Sequence, residues 1–387
     1  MLEQLTKRFK EIFGQEHEAI YFAPGRVNLI GEHTDYNGGH VFPCSIDKGT
    51  YLVVQKRKDH LIQFFSDNFE NLGIIEINLD HVMNDPKDDW TNYPKGVIHV
   101  LRKAGFTINQ GFNLYYFGNI PNGAGLSSSA SIEIVTAIML NDQLNLNIDR
   151  VQLVKYCQQA ENQFIGVNCG IMDQFAIGMG KEKHAILLDT NTLKYHYAPL
   201  ELRDYQIVIA NTNKRRGLAD SKYNQRRSEC EAALTKLQSM VNIHSLGDLS
   251  IEQFESLKDV IKDEIILKRA KHAVYENQRT LKAKAALDQG NIELFGQLMN
   301  ESHISLRDDY EVTGLELDTL VELAWQENGV LGSRMTGAGF GGCTVSLVKS
   351  DLIESFIDHV GMQYTKKMGY APTFYVVNVE NGANRLE

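Results

Sequence analysis

The stretch PNGAGLSSSASIEIVTAIML, residues 121–140, contains a turn rich in proline and glycine that runs directly into an apolar helix. Two glycines let the backbone turn tightly, and three serines place hydroxyl and N–H groups at the start of the helix; these are Gly123, Gly125, Ser127, Ser128 and Ser129. A helix N-terminus carries free donors and a partial positive charge, so it binds phosphate well. The stretch therefore predicts a phosphate-binding turn. Capping of the helix by a serine is the alternative, and it would account for one serine rather than three.

The turn differs from the GxxxxGK[ST] loop of P-loop NTPases, because no lysine follows its second glycine. Around it, strands and helices interleave without a regular βαβ period, which predicts an α+β fold. The predicted strands are Thr50–Val54, Ile74–Asn78, Phe112–Phe117, Ala185–Asp189, Tyr205–Asn211, Thr344–Val348 and Thr373–Val379, and the predicted helices cover 94–104, 127–141, 150–164 and 351–367. A chain of 387 residues is too long for one ordinary core, and the sequence becomes helix-rich after Tyr205. We predict an N-terminal domain over 1–200 and a C-terminal domain over 201–387.

A second polar stretch lies upstream, at GRVNLIGEHTDYNGG, residues 25–39. Arg26 stands at the mouth of a short apolar strand. Glu32, His33 and Asp35 follow in a turn whose glycines permit backbone shapes barred to other residues. Hydrogen-bonding side chains crowded on such a loop suit a ligand with many hydroxyls, such as a sugar. An ordinary polar turn has the same composition, so the residues alone leave both interpretations open.

Glu161 occupies an otherwise apolar face of the predicted helix 150–164, which it shares with Leu153, Cys157 and Phe164 or Ile165. A carboxylate on a buried face is costly unless it is paired, protonated or bound to a cation. Mg²⁺ prefers oxygen ligands of this kind. Two alternatives stay open: a side chain that reaches solvent from the helix end, and a carboxylate that neutralises a buried arginine or lysine.

The composition excludes several classes of protein. With 39 basic and 49 acidic side chains, the net charge of −10 argues against a nucleic-acid-binding surface. Five cysteines without CxxC spacing fit reduced thiols better than disulfides or a zinc site. The N-terminal residues show helical spacing of apolar side chains rather than a signal peptide, and no apolar run reaches the length of a membrane span. We expect a soluble cytoplasmic protein with no membrane segment and no obligate protein partner.

The stretch at 25–39 resembles the signature of galactokinases, within the superfamily of galacto-, homoserine, mevalonate and phosphomevalonate (GHMP) kinases. PNGAGLSSSA at 121–130 and TGAGFGGC at 336–343 are similar to the other two motifs of that superfamily and follow in its order. The resemblance spans nearly the whole chain. It implies a two-domain fold with the active site in the cleft between the domains. It also implies ATP-dependent phosphorylation of galactose at the C1 hydroxyl, the first committed step of galactose catabolism by the Leloir pathway, with Mg²⁺ as cofactor.

The resemblance also implies roles for single residues. Asp173 would be the catalytic base beside Arg26, although an aspartate in NCGIMDQF more commonly caps a helix. The substrate-binding residues would be Glu32, His33, Thr34, Asp35 and Tyr223. The nucleotide-binding residues would be Ser66, Gly123, Ala124, Gly125, Leu126, Ser127, Ser128 and Ser129, and the metal ligands would be Ser129 and Glu161. Trp90 could border the nucleotide or belong to the core, and the basic residues around 214–227 are left unassigned.

Two other functions compete with a galactose kinase. A sensor of galactose and ATP could keep the fold without turnover, but such relatives are damaged in the phosphate loop, whereas GLSSSA is uninterrupted here. A kinase for another substrate, such as mevalonate or N-acetylgalactosamine, is the second. GEHTDYNGG argues against mevalonate and leaves a related sugar open.

Overall fold

The computed structural model describes residues 1–120, 125–214 and 219–387 and shows an α+β fold, in which helices cover three β-sheets of the described chain. The first half contains α1 (Leu2–Phe13), β1 (Ala19–Asn28), β2 (His40–Val41), β3 (Pro43–Lys56), β4 (Leu61–Ser66), β5 (Ile75–Asn78), α2 (Asn92–Lys103), β6 (Phe112–Gly118), α3 (Ser128–Gln143), α4 (Arg150–Ala160), α5 (Met172–Met179), β7 (His184–Asp189) and β8 (Tyr195–Pro199). The second half contains β9 (Tyr205–Asn211), α6 (Ala219–Gln238), α7 (Ile251–Leu257), α8 (Glu264–Asp288), α9 (Ile292–Ser305), α10 (Leu315–Gln326), β10 (Val330–Thr336), β11 (Cys343–Lys349), α11 (Ile353–Met368), β12 (Thr373–Val377) and β13 (Asn384–Arg385).

The first sheet has the strand order β13-β1-β3-β6-β4-β5, and its strands pair antiparallel except for β4 with β6. Helices α2 to α5 contribute to one apolar core together with side chains of this sheet. Helix α1 covers the other face, where Phe9 is buried in one cluster with Ile20 and Val53. Because side chains alternate along a strand, Ile20 and its neighbour Tyr21 belong to these two separate cores.

The second sheet lies in the C-terminal half, has the order β10-β11-β9-β12 and is antiparallel throughout. Alternate residues of β9 serve different cores. Val208 and Ala210 belong to the cluster of α10 and α11, whereas Ile207 and Ile209 belong to that of α9. A small third sheet, β2-β7-β8, contributes to the same core as α9 and so connects the two halves of the chain.

Helix α3 is buried on nearly all sides, which explains why apolar residues predominate on all its faces between Ala130 and Leu140. It contacts α2, α4 and α5 as well as strands β1 and β3. Strand β6 ends at Gly118 and α3 begins at Ser128, so the N-terminus of α3 follows the end of a strand, as predicted. Gly123 and Ala124 belong to 121–124 and lie outside the described residues.

Two predicted elements differ from the structure, although the α+β fold is confirmed. The helix predicted over 150–164 ends at Ala160 and continues as one π-helical turn, Glu161–Ile165. A π-helical turn contains one extra residue, and such turns are frequent at functional sites. The last long strand ends at Val377, after which the chain returns to the first sheet and pairs Arg385 with Tyr21. The domain boundary near residue 200 stays a prediction.

Candidate active site

Asp173 and Arg26 form an ion pair near the end of β1. Arg26 follows a shift in register between β1 and β3, and Asp173 is the second residue of α5. Arg26 Nε donates to Asp173 Oδ1 at 2.8 Å, and Arg26 Nη2 lies 2.8 Å from the same oxygen. The arginine side chain is 5% exposed and that of Asp173 is 31% exposed, so only the carboxylate keeps an open face. The N-cap of α5 is Ile171, and the capping role for Asp173 is therefore wrong.

The phosphate turn contacts both members of this pair. Ser127 Oγ donates to Asp173 Oδ2 at 2.5 Å, and Arg26 Nη1 donates to the Gly125 carbonyl at 2.8 Å. The buried Leu126 accepts the backbone N–H of Arg26 at 3.3 Å. Ser127 is the N-cap of α3 with φ of +63° and makes no capping bond through its side chain, so serine capping does not explain its presence. A serine in this left-handed region is uncommon, and such strain is frequent at functional sites.

Glu161 is buried beside Ser129. It is 7% exposed, which makes the solvent-facing alternative wrong. Gln174 Nε2 donates to Oε2 at 2.6 Å, and the nearby Ser129 hydroxyl favours the charged carboxylate and so lowers the pKa of Glu161. Burial and then the charge of Asp173 raise the pKa of Glu161 to about 7. The donors around this carboxylate in the described chain are hydroxyl, thiol and amide groups, which favours a bound cation over a buried ion pair. Ser128, the neighbour of Ser129, is exposed.

Glu133 is a further carboxylate that the sequence analysis missed. It lies on α3 and is fully buried, and Gln174 Nε2 donates to its Oε2 at 3.2 Å. Among the described residues, its Oε1 has no hydrogen-bond partner. Burial and the neighbouring Glu161 raise the pKa of Glu133 well above its ordinary value. The available signal was a single acidic residue inside a helix that is otherwise apolar, the same signal that indicated Glu161.

These groups fit a magnesium ion. The Ser129 hydroxyl and the Glu161 carboxylate are in contact, and both are oxygen ligands of the kind that Mg²⁺ prefers. A cation would also offset the repulsion among the carboxylates of Glu133, Glu161 and Asp173. Within the described ranges, no group of three or more His, Cys, Asp or Glu side chains is arranged to hold a metal. Water and substrate phosphates would therefore complete the coordination shell, as is usual for Mg²⁺.

Glu32, in the predicted sugar loop, binds the third glycine-rich motif. Its Oε1 accepts the N–H of Gly337 at 2.7 Å and the hydroxyl of Thr336 at 3.1 Å, and Arg334 Nη1 lies 3.5 Å away. The residue is 1% exposed, and burial raises its pKa although Arg334 opposes the shift. Sequence analysis assigns TGAGFGGC no particular contact, whereas in the structure this motif anchors the loop.

His33 lies in a cluster of aromatic rings. Its ring centroid is 5.7 Å from that of Tyr223 and 4.9 Å from that of Tyr310, and Tyr36 packs edge-on against Tyr223 at 5.3 Å. His33 Nδ1 lies 2.7 Å from the Tyr36 hydroxyl, and Nε2 lies 3.2 Å from the Ala338 carbonyl. Burial lowers the pKa of His33 to about 3, so its ring is neutral. The cluster places His33 and the predicted sugar ligand Tyr223 side by side.

Asp35 lies close enough to Asp173 for the two negative charges to repel each other. Burial, followed by the charges of Asp173 and Glu32, raises the pKa of Asp35 to about 7. A Cβ at Gly170 would lie 1.7 Å from Asp35 Oδ2, so only glycine fits beside this carboxylate. A cavity of about 510 Å³ opens here, and its walls include the polar residues Gln158, Asn162, Asn168, Thr190 and Asn191. The space beside Asp35 suits a small polar ligand.

Three other residues from the sequence analysis have structural contacts. The Thr34 hydroxyl binds inside its own loop, 2.8 Å from the Gly31 carbonyl, so its side chain holds the loop. Ser66 Oγ accepts the N–H of Asn68 at 3.2 Å and is buried. Trp90 is buried in the core, where it stacks on Phe69 with a centroid distance of 6.0 Å. Roles of Thr34 and Ser66 in ligand binding stay predictions, and Trp90 is a core residue.

The basic stretch around 214–227 is not a uniformly solvated face. Arg226 is buried, and its Nε donates to the Tyr310 carbonyl at 2.7 Å. Lys214 Nζ donates to Glu316 at 2.9 Å. Residues 215–218 lie outside the described residues.

Helix α8 supports the sugar loop through residues that no motif indicated. Glu276 is fully buried and accepts the N–H of Gly31 at 3.0 Å, and the next residue, Asn277, accepts the N–H of His40 through Oδ1 at 2.8 Å. Arg279 forms an ion pair with Glu276. The available signal was a row of polar residues at helical spacing on one face of α8, at Arg269, His272, Glu276 and Thr280.

Two further expectations concern the cysteines and the possibility of a membrane-spanning helix. All five cysteines lie in the described residues as thiols, of which Cys169 is partly exposed and the others are buried. Among the helices of the described chain, none combines the length and hydropathy that a membrane span requires.

Comparison with known proteins gives one consistent result. The galactokinase galactose-binding signature matches residues 7–56, the GHMP kinases N terminal domain matches 92–181, and the GHMP kinases C terminal model matches 283–363. A galactokinase from Clostridium acetobutylicum is 61% identical over 386 residues, which cover 100% of this chain and 99% of the relative. The crystal structure of Lactococcus lactis galactokinase complexed with galactose is 52% identical, with a TM-score of 0.97 over 100% of both chains.

A more distant structure shares the fold alone. Mevalonate kinase from Methanococcus jannaschii has a TM-score of 0.66 at 21% identity, covering 95% of this chain and 99% of the other. The two-domain fold is therefore that of the GHMP kinases, whereas the full-length identity is to galactokinases. The chain belongs to the galactokinase family of ATP-dependent sugar kinases, within the GHMP superfamily.

Proposed function

We propose that the chain transfers the γ-phosphoryl group of ATP to the C1 hydroxyl of galactose, giving galactose 1-phosphate and ADP. The observation that carries the proposal is the contact of Asp173 with both Arg26 and Ser127, because it joins the predicted sugar site to the phosphate turn. Full-length identity to galactokinases supports galactose as the sugar. The uninterrupted GLSSSA segment supports a kinase with turnover over a sensor.

In this proposal Asp173 accepts a hydrogen bond from the attacking hydroxyl and orients it toward the phosphorus. Phosphoryl transfer through a loose transition state depends more on positioning and charge stabilisation than on a strong base. Arg26 holds the carboxylate through Nε and Nη2 and can also stabilise negative charge on the transferring group. The buried guanidinium thus fixes the carboxylate in place, and the partly exposed carboxylate contacts the substrate.

The other proposed site residues bind either the sugar or the nucleotide with its metal ion. Glu32, His33, Asp35 and Tyr223 hold sugar hydroxyls, with Thr34 shaping their loop. The nucleotide is bound by Ser66, by Gly123 and Ala124 of the turn, and by Gly125, Leu126, Ser127, Ser128 and Ser129. Ser129 and Glu161 would hold Mg²⁺, which would supply positive charge to offset the negative charge that develops on the phosphate groups.

We also propose the domain boundary near residue 200 and a cytoplasmic location. The first proposal is supported by the separate sheets of the two halves, with β13 as the one strand of the described C-terminal half that returns to the first sheet. The second is supported by five thiols, which persist in a reducing compartment.

A panel of phosphate acceptors tests the function. Purified protein is incubated with Mg²⁺–ATP and galactose, N-acetylgalactosamine, glucose or mevalonate, and ADP release is measured while NMR locates the new phosphate. We expect galactose to give the highest kcat/KM, with the phosphate at C1. Protein with Asp173→Asn, prepared in parallel, reports contaminating kinases. Absence of turnover with galactose would overturn the proposal, and preference for another acceptor would reassign the substrate.

A further inference from the structure

A continuous row of hydrogen bonds leads away from His33 into the C-terminal half. The Tyr36 hydroxyl lies 2.7 Å from His33 Nδ1 and 2.8 Å from the Tyr310 hydroxyl, which in turn lies 3.2 Å from Cys230 Sγ. At the other end of the ring, Nε2 lies 3.2 Å from the Ala338 carbonyl. The row connects the sugar loop with the second half of the chain.

The Ala338 carbonyl at one end of the row fixes the direction of its bonds, because the hydroxyls and the thiol can each donate or accept. A carbonyl oxygen only accepts, so Nε2 must carry the proton that it shares with Ala338. A neutral ring then has a bare Nδ1, which accepts from the Tyr36 hydroxyl. Tyr36 has one proton to give, so its oxygen accepts from Tyr310, and the Tyr310 oxygen accepts from the thiol of Cys230. The opposite tautomer would leave the lone pair of Nε2 facing the lone pairs of a carbonyl.

The surroundings support this assignment. Tyr310 and Cys230 are buried, and burial raises the pKa of both groups, so they keep their protons as the row requires. Burial also keeps the His33 ring neutral. The ring of Tyr310 lies 4.9 Å from that of His33 and 4.4 Å from that of His272, so it has little freedom to turn.

We propose that Tyr36 and Tyr310 are positioning residues that hold His33 as the Nε2–H tautomer, so that His33 meets the sugar as a hydrogen-bond donor. The inference rests on the proposed sugar-binding role of His33. Without ligand, the donor is directed at the Ala338 carbonyl over a long bond of 3.2 Å, which a sugar oxygen can replace. A sugar hydroxyl can donate or accept, so the protein decides the direction. The Ala338 carbonyl sets the tautomer in the free protein, and the bond from Tyr36 to Nδ1 retains it when the sugar displaces that carbonyl.

Nitrogen NMR of protein labelled at histidine tests the tautomer directly. The protonated and bare nitrogens of a neutral imidazole resonate far apart, and loss of one signal set in His33→Gln assigns the residue. We expect the Nε2–H tautomer in wild type, both free and saturated with galactose. In Tyr36→Phe we expect the Nδ1–H tautomer to become populated, and in Tyr310→Phe the same change to a smaller extent. An Nδ1–H or charged ring in wild type would overturn the proposal.

Kinetics separate positioning from a general structural role. Loss of one hydrogen bond should raise the galactose KM of Tyr36→Phe roughly two- to ten-fold, with a smaller rise for Tyr310→Phe and little change in the KM for ATP. Tyr364→Phe is the matched control, because Tyr364 is fully buried and its hydroxyl donates to the Thr212 carbonyl at 2.9 Å in a separate core. We expect this variant to lose similar stability without a change in galactose KM.

The outcomes distinguish this inference from the proposed function. If wild type phosphorylates galactose but Tyr36→Phe affects both substrates equally, or only as much as its unfolding temperature falls, the positioning role is wrong. If wild type binds no galactose, the proposed function fails, although the tautomer measured in the free protein still tests the direction of the row.

Discussion

Two groups of carboxylates that are buried or partly buried in this protein differ in how their charge is balanced. We call Asp35, Glu133 and Glu161 the open acids, because the pKa values of all three are raised, chiefly by burial. Glu276 is the paired acid: it is fully buried, yet Arg279, His272 and Arg334 hold its pKa at about 2. Glu133 and Glu276 are both fully buried and their pKa values shift in opposite directions, because arginines lie beside Glu276.

The contrast indicates which carboxylates await a ligand. A buried charge without a partner destabilises the folded state, so its presence calls for a bound cation or a substrate that donates hydrogen bonds. Glu276 needs neither, since it already joins Arg279 to the N–H of Gly31. The open acids lie at the proposed sugar and metal sites, whereas the paired acid supports the loop that carries them. Three variants test this distinction, and a fourth tests Asp173, which both proposed sites share.

Asp173→Asn is expected to have the largest effect. The amide keeps the size of the side chain but loses the negative charge that strengthens the hydrogen bond from the sugar hydroxyl and that pairs with Arg26. We expect a variant that still folds, with kcat lower by about a hundred- to ten-thousand-fold. Loss of the charged partner of the buried Arg26 should also lower the unfolding temperature. Steady-state kinetics and thermal unfolding check this result. A folded variant with nearly wild-type kcat would remove Asp173 from the reaction.

Glu276→Gln tests the paired acid. Glutamine leaves Arg279 without its buried partner, so the free energy of unfolding should fall by about 3–5 kcal/mol, as measured by denaturant titration. The concentration of Mg²⁺ needed for activity should not change. Glu301→Gln is the matched control, because Glu301 lies 3.8 Å from the same arginine but is 45% exposed. That control should cost at most about 1 kcal/mol; equal losses would contradict the distinction.

Asp35→Asn should give a stability gain that depends on pH. The pKa of the Asp35 carboxyl has its ordinary value of 3.8 in the unfolded chain and is about 7 in the folded protein. Between these values the folded protein binds a proton that the unfolded chain has released, so wild-type stability falls as the pH rises. The variant lacks this loss, and its advantage in unfolding free energy should grow by roughly 2–3 kcal/mol from pH 5 to pH 8.

Asp189→Asn serves as the control for this pH dependence. Hydrogen bonds from Thr192 and Asn191 outweigh burial and hold the pKa of Asp189 below its ordinary value. Asp189 is therefore ionised in both states over the same pH range, and the effect of its replacement should be constant. If the two variants show the same pH profile, Asp35 is not an open acid.

Glu161→Gln should have the smallest effect when expressed as free energy. If Glu161 binds Mg²⁺, loss of its charge should raise the concentration of Mg²⁺ for half-maximal activity about ten-fold or more, with partial recovery at high magnesium. Titration of Mg²⁺ beside thermal unfolding measures both consequences. Glu276→Gln is the control, since it removes the charge of a buried carboxylate that is already paired with Arg279. Unchanged magnesium dependence in folded Glu161→Gln would end the metal assignment.

The sequence predicted Glu161 and missed Glu133, although the same physical argument applies to both. An acidic residue on an apolar helical face indicates either a ligand site or a point where the face becomes exposed to solvent. Which of the two holds depends on the residues that pack against that point. For Glu161, apolar residues recur on one helical face over several turns, so the acidic residue interrupts a clear pattern. For Glu133, apolar residues lie on all sides of the helix, so helical periodicity does not distinguish a face on which the residue would be unexpected. The capping role that composition favours for Asp173 is wrong because the helix begins one residue earlier, at Met172, with Ile171 as its N-cap.

By itself the sequence determined the elements and the motifs of this protein. The period of its apolar residues, the glycine-rich turns and the serines before α3 are local features, and local geometry follows from adjacent residues. Only the tertiary structure decided which side chains meet. Ser127 and Asp173 are 46 residues apart, and Glu32 and Gly337 are 305 apart. Such contacts depend on how whole sheets and helices pack, and the charge balance that separates an open acid from a paired one exists only after that packing.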